Sequence, residues 1–212
     1  MDDQQRTIRL IMALRRQGIV DARVLSALEH VPRDIFLSPA QQDEAYEDKA
    51  LPIACGQTIS QPFIVAFMTQ LMEVGDRMKV LEVGTGSGYQ AAILAKLCRR
   101  VYTIERHLPL LKEAERRFAQ LDISNITTSY GDGTKGWPQQ APFDRIIVTA
   151  AARKVPDTLL AQLKTGGILV MPVGDEEGQV LMRMRMTEAG PVEERLLPVR
   201  FVPLMDGVAK DS

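Results

Sequence analysis

The chain has 212 residues, enough for a single domain with a full hydrophobic core. Apolar residues make up 45% and charged residues 25%, the balance of an ordinary globular protein, and the formal net charge of −1 offers no general attraction to nucleic acid or an anionic membrane. No run approaches the roughly 20 apolar residues of a membrane span. The opening Met-Asp-Asp-Gln-Gln-Arg lacks the basic lead into an apolar stretch that marks a secretory signal, so a cytoplasmic protein is expected.

Taken in chain order, Thr7 to Gln17 and Asp21 to His30 both show helical spacing. Asp21 is placed to cap the second helix by accepting from its free N–H groups, and Pro32 stops it. Ser38 to Gln61 is a long irregular segment; its Tyr46, Pro52, Gly56 and small residues predict an ordered, functional loop. Pro62 suits the first turn of a helix running to about Glu73. Strands are then predicted at 78–83, 100–104, 126–130, 143–149 and 168–173, with helices at 88–98, 108–121 and 156–164. This largely alternating order predicts an α/β fold: a doubly wound, mostly parallel sheet covered on both faces. Val180 to Met186 places Met182, Met184 and Met186 on one side and Arg183 and Arg185 on the other, as in a half-solvated antiparallel strand near one edge. The methionine stripe is read as core. Cys55 and Cys98 are far apart with no C-x-x-C partner, which suits free thiols in a reducing compartment. His30 and His107, the only histidines, lie near neither cysteine nor a carboxylate cluster, so no metal site is expected.

The chemistry concentrates where Val80-Leu81-Glu82-Val83 runs into Gly84-Thr85-Gly86-Ser87-Gly88-Tyr89. A strand, a glycine loop and a helix start form the crevice where α/β sheets bind nucleotide-like ligands. The order G-x-G-x-G differs from the G-x-G-x-x-G of dinucleotide folds, because Tyr89 stands at the third glycine position, and no Lys-Ser or Lys-Thr follows as in a P-loop. The pattern resembles the first motif of methyltransferases that use S-adenosylmethionine. Glu105 ends the next strand at about the spacing of an acid that takes both ribose hydroxyls. Arg106 and His107 beside it are expected at the surface. Asp132, between Gly131 and Gly133, is a candidate acceptor for the adenine amino group, or an ordinary Asp-Gly turn.

The long loop narrows the reading. Ala45-Tyr46-Glu47-Asp48-Lys49-Ala50-Leu51-Pro52-Ile53-Ala54-Cys55-Gly56-Gln57-Thr58-Ile59-Ser60-Gln61-Pro62 resembles the signature segment of the protein-L-isoaspartate O-methyltransferase family. The resemblance runs from about Arg6 to Leu204. It takes in Val31-Pro32-Arg33, the glycine loop, Gly131-Asp132-Gly133, Val148-Thr149-Ala150-Ala151-Ala152, Gly166-Gly167, Pro172-Val173-Gly174 and Val199-Arg200-Phe201-Val202-Pro203-Leu204. Ala54-Cys55, where a glycine is expected near Gly56, is a modest departure.

The resemblance implies a Rossmann-like methyltransferase domain over residues 1–212. It implies S-adenosylmethionine as methyl donor, S-adenosylhomocysteine as product, and damaged proteins and peptides containing isoaspartate as partners. A monomer that binds neither nucleic acid nor membrane is expected. Gly84, Thr85, Gly86, Gly88, Glu105, Asp132 and Gly133 would bind the donor. Thr58, Ile59, Ser60, Ala150, Ala151, Val202 and Leu204 would bind substrate, with Ser60 the catalytic candidate. A carboxylate nucleophile, ionised at neutral pH with a reference pKa near 4, needs no strong base, so the enzyme mainly aligns two reactants. A helix cap before Pro62 is a second, compatible role for Ser60, and the small residues 149–152 would leave room for main-chain pairing with an extended peptide. Alternatives are a methyltransferase of another substrate class such as RNA, a non-catalytic binding module, and a nicotinamide oxidoreductase.

Overall fold

The structure, a computed structural model, describes residues 3–210; Met1 and Asp2, part of the opening read for a signal, lie outside the described residues. The first helices follow from amphipathic spacing and caps. Helix α1 (Asp3–Arg16) buries Leu10 and Leu14. Helix α2 (Ala22–His30) is capped by Asp21, whose side chain accepts from the N–H groups of Arg23 and Val24. The long loop is ordered. It holds two 3-10 turns (Pro39–Glu44 and Ala54–Gly56) and a hairpin of two-residue strands, β1 (Leu51–Pro52) against β2 (Thr58–Ile59), with Leu51 opposite Ile59. Helix α3 (Pro62–Leu71) starts on its proline as expected.

The central sheet comprises β3 (Lys79–Val83), β4 (Arg100–Glu105), β5 (Ile126–Tyr130), β6 (Phe143–Val148), β7 (Leu163–Asp175), β8 (Gly178–Thr187) and β9 (Gly190–Val199). Their order is β5-β4-β3-β6-β7-β8-β9. The first five are parallel, while β8 and β9 pair antiparallel. Helices α4 (Tyr89–Ala95), α5 (Leu108–Gln120) and α6 (Asp157–Leu160) connect them. Along β3, Val80 packs with residues of α1 to α5 on one face, and Leu81 and Val83 pack with Leu159, Met171, Met182 and Met184 on the other. The sheet is therefore covered on both faces, and the methionine stripe is core.

Two expectations shift. Helix α6 is one turn, because Leu163 already pairs with Phe143 in β7. Helix α4 ends at Ala95, and Cys98 closes a final turn onto Leu94. The strand at 180–186 is antiparallel and near the edge as expected, with β9, absent from the sequence reading, outside it. Strand β9 is mostly exposed, with Pro191 and Pro198 in it, as suits an edge whose outer N–H groups face water.

Candidate active site

Successive parallel strands leave β3 in opposite directions, to β4 on one side and β6 on the other. That reversal opens a crevice at their carboxyl ends. Gly84 and Gly86 form its floor, and Gly88 closes the loop behind it, lining neither cavity described below but facing Phe118 and Ala114; their φ of 95°, 53° and 90° is a left-handed backbone that glycine adopts without penalty. Gly84 also admits a close approach: a Cβ there would overlap the Thr149 hydroxyl, which donates to the Gly84 carbonyl at 2.7 Å. A Cβ on Gly86 would meet nothing nearer than Ile53 at 3.8 Å, so the backbone there faces open space.

Two cavities meet over this floor. The smaller, of about 120 Å³, is walled by Val83, Ile104, Glu105, Arg106, His107, Gly133, Ala150, Pro203, Leu204 and Met205 among others. The larger, of about 460 Å³, is walled by Ile59, Ser60, Gln61, Thr85, Tyr89, Gln90, Arg200 and Phe201 among others. Thr58, Gly84, Gly86, Thr149 and Val202 line both.

Glu105 is 4% exposed. Its Oε2 accepts from the N–H of Gly86 at 2.8 Å, and its Oε1 from those of Arg106 at 2.8 Å and His107 at 2.9 Å. A carboxylate has about four acceptor positions, so one on Oε2 stays open. Arg106 and His107 are half-buried on the cavity wall rather than out at the surface, because their N–H groups anchor this carboxylate. Asp132 is half-buried and committed to its own turn, with Oδ1 accepting from the Thr134 N–H at 3.0 Å and the Thr134 hydroxyl at 2.7 Å. Burial raises its pKa, but bonds from Thr134 and the Gly207 N–H, with the charge of Lys135, outweigh that and hold the carboxyl below its ordinary value. Asp132 is on the wall of neither cavity, whereas Gly133 is, and a Cβ at Gly133 would overlap the Val83 Cγ1.

Behind the floor lies a buried polar chain absent from the sequence reading. The Thr85 and Thr103 hydroxyls are 2.6 Å apart, and Thr103 donates to Glu82 Oε2 at 2.5 Å. Glu82 Oε1 has no partner among the described residues. Burial, reinforced by the charge of Glu105 and opposed by the Thr103 hydrogen bond, pushes the Glu82 carboxyl up to about 8.

On the substrate side, the hairpin and the residue after it bring Thr58, Ile59 and Ser60 to the larger cavity, with Ile59 only 3% exposed. Ser60 does not cap α3: Asp48 accepts from the Phe63 N–H at 2.8 Å, leaving the serine hydroxyl without a partner among the described residues. Residues 149–152 do not offer the open main chain that their small side chains suggest. The Ala151 N–H donates to the Val202 carbonyl at 2.8 Å, and its carbonyl accepts from Leu204 at 2.7 Å, because residues 202–204 run parallel beside it. Ala151 and Leu204 also line a wider outer groove shared with Arg200 and Phe201.

A mostly parallel sheet with a glycine-floored crevice at its reversal point and a buried acid at the neighbouring strand end is the fold of the Rossmann-like methyltransferases. The family model described as protein-L-isoaspartate(D-aspartate) O-methyltransferase matches residues 5–209. The chain belongs to that family. A protein-L-isoaspartate O-methyltransferase of Parvibaculum lavamentivorans is 62% identical over 100% of this chain and 97% of its own. One of Paramagnetospirillum magneticum is 58% identical over 98% of each. Among solved structures, one so described superposes with a TM-score of 0.84 at 28% identity, covering 93% of this chain and 65% of that one. A Plasmodium falciparum chain assigned to the same activity, in complex with S-adenosyl-L-homocysteine, gives a TM-score of 0.81 at 26% identity, covering 93% and 97%.

Proposed function

We propose that this chain transfers a methyl group from S-adenosylmethionine to the α-carboxylate of L-isoaspartyl residues in damaged proteins and peptides, the step that begins their repair. The observation that carries the reading is the Ser60 hydroxyl, without a partner among the described residues, on a cavity that adjoins, through Thr58, Gly84, Gly86, Thr149 and Val202, the smaller cavity beside Glu105. The residues fit the donor: the open backbone at Gly86, the spare acceptor on Glu105 and the close floor at Gly133 suit a nucleoside.

Gly84, Thr85, Gly86, Gly88 and Glu105 would hold the donor, with Gly133 under the base. Asp132 would use the acceptor capacity that Thr134 and Gly207 leave free. The donor supplies an electrophilic methyl on a sulfonium sulfur. Ser60 and Thr58 orient the substrate carboxylate by donating hydrogen bonds; Ile59, Ala150, Val202 and Leu204 wall the site and exclude water, and Ala151 meets the substrate from the outer groove. No proton needs to be removed from an ionised carboxylate, so alignment carries the reaction. We further propose that the whole chain acts as one domain, as a monomer in the cytoplasm, without nucleic acid or membrane. The free thiols of Cys55 and Cys98 suit a reducing compartment. Among the described residues no helix is long and apolar enough to cross a membrane.

The test is methyl transfer to paired peptides that differ only in an isoaspartyl or aspartyl linkage, with a structured RNA as third substrate. Label on the isoaspartyl peptide alone is expected. Equal labelling of both peptides refutes the substrate assignment, and label on the RNA supports the other methyltransferase class.

A further inference from the structure

Arg33 lines neither cavity and has no part in the site as assigned above. It is nevertheless 1% exposed; its Nε has no hydrogen-bond partner among the described residues, so the buried cation is held through its two Nη groups. Its Nη1 donates to the Ala45 carbonyl at 2.7 Å, and its Nη2 donates to the carbonyls of Lys49 at 3.2 Å and Ser60 at 2.9 Å. Those acceptors span the loop that ends in Thr58-Ile59-Ser60. The guanidinium carbon also lies 5.8 Å from the centroid of the Tyr89 ring, which Phe36 packs edge-on at 5.3 Å. Tyr89 directly follows Gly88 and lines the larger cavity.

One buried side chain therefore touches the backbone of Ser60 and an aromatic wall of the same cavity. A guanidinium is a rigid planar fork, so carbonyls bound to it are fixed relative to one another. Holding the Ser60 carbonyl holds its Cα, and with it the origin of the hydroxyl. The glycine loop is secured separately: Gly84 N–H to the Ile104 carbonyl at 2.9 Å, Gly86 N–H to Glu105 at 2.8 Å, Gly88 N–H to the Thr85 carbonyl at 2.8 Å.

We infer that Arg33 is a positioning residue for methyl transfer, fixing Ser60 against Tyr89 so that the hydroxyl meets the substrate carboxylate in line with the donor. This rests on the assignment of Ser60 above. Arg33 governs the alignment of the substrate side and leaves donor binding alone.

The test uses Arg33→Lys and Arg33→Gln, which retain much of the stem but cannot span three carbonyls, each made in the wild-type and in a Ser60→Ala background. With isoaspartyl peptide, kcat is expected to fall on the order of 10- to 100-fold, as misplacement of a reacting pair does. Affinity for S-adenosylhomocysteine by calorimetry stays within about twofold. In the Ser60→Ala background the same changes add less than about twofold, because coupled residues are not additive. An unchanged kcat in a folded variant overturns the inference. So does an equal loss in both backgrounds, or donor affinity falling in step with melting temperature. Wild-type kcat in Ser60→Ala alone identifies the Ser60 assignment as the failure, and this inference falls with it.

Discussion

Glu105→Gln separates the structural from the ligand-binding work of one carboxylate. The substitution keeps size and shape but replaces one acceptor oxygen with an amide donor. If the amide oxygen stays where Oε1 now accepts from Arg106 and His107, the new NH2 faces the Gly86 N–H that now lies 2.8 Å from Oε2. A buried backbone donor is then left facing another donor, at a cost of about 2 kcal/mol. For a chain of this size that lowers the melting temperature by about 4–8 °C. The same exchange removes the spare acceptor on Oε2. Losing a charge-assisted hydrogen bond to a ribose hydroxyl weakens S-adenosylhomocysteine binding by about 10- to 100-fold. Calorimetric titration together with a thermal melt reads both terms. Glu105→Asp is the control: it keeps the charge but is one methylene shorter and cannot hold all three N–H groups. A Glu105→Gln protein with wild-type affinity and an unshifted melt would refute the argument that this carboxylate ties the glycine floor to the ligand.

Gly133→Ala puts a methyl into the Val83 Cγ1 at the base of the smaller cavity and should destabilise by about 1–3 kcal/mol, visible as a lower denaturant midpoint; an unchanged midpoint means that the turn yields freely. Gly88→Ala adds two faults, a left-handed φ of 90° and a Cβ 2.8 Å from Phe118 Cε1, so it should lose more stability than Gly133→Ala, and the reverse ranking contradicts this packing. Glu82 titrates near 4.5 when unfolded and near 8 in the fold, because burial disfavours its charge. Between those values the native state holds more protons, so stability falls as pH rises across that window. Glu82→Gln should abolish this slope, and its melting temperature should gain on the wild type from pH 5 to pH 8. A gap that is constant with pH means that Glu82 is not the group responsible.

Much of the architecture is local information. The glycines after β3, the acid after β4 and the Asp-Gly turn after β5 are set by strand period and turn chemistry, which short stretches of sequence carry by themselves. Caps were legible for the same reason, as at Asp21, where a side chain bonds to N–H groups two and three residues away. The short α6 and the exposed β9 were not, because pairing with Phe143 and with β8 is decided by residues distant in sequence.

Within the site, the family resemblance marked Ser60, while spacing from the glycine loop marked Glu105 and the Gly-Asp-Gly turn at a strand end marked Gly133. Tertiary structure alone decided who partners whom. It gave the capping of α3 to Asp48 and so left the Ser60 hydroxyl without a partner among the described residues, and it filled three acceptor positions of Glu105 with backbone. It also closed the Ala151 main chain with Val202 and Leu204, and set Arg33 across three carbonyls of the loop. Composition and spacing specify which groups a chain can offer, but hydrogen bonds saturate, and only the folded arrangement determines which offers are already taken.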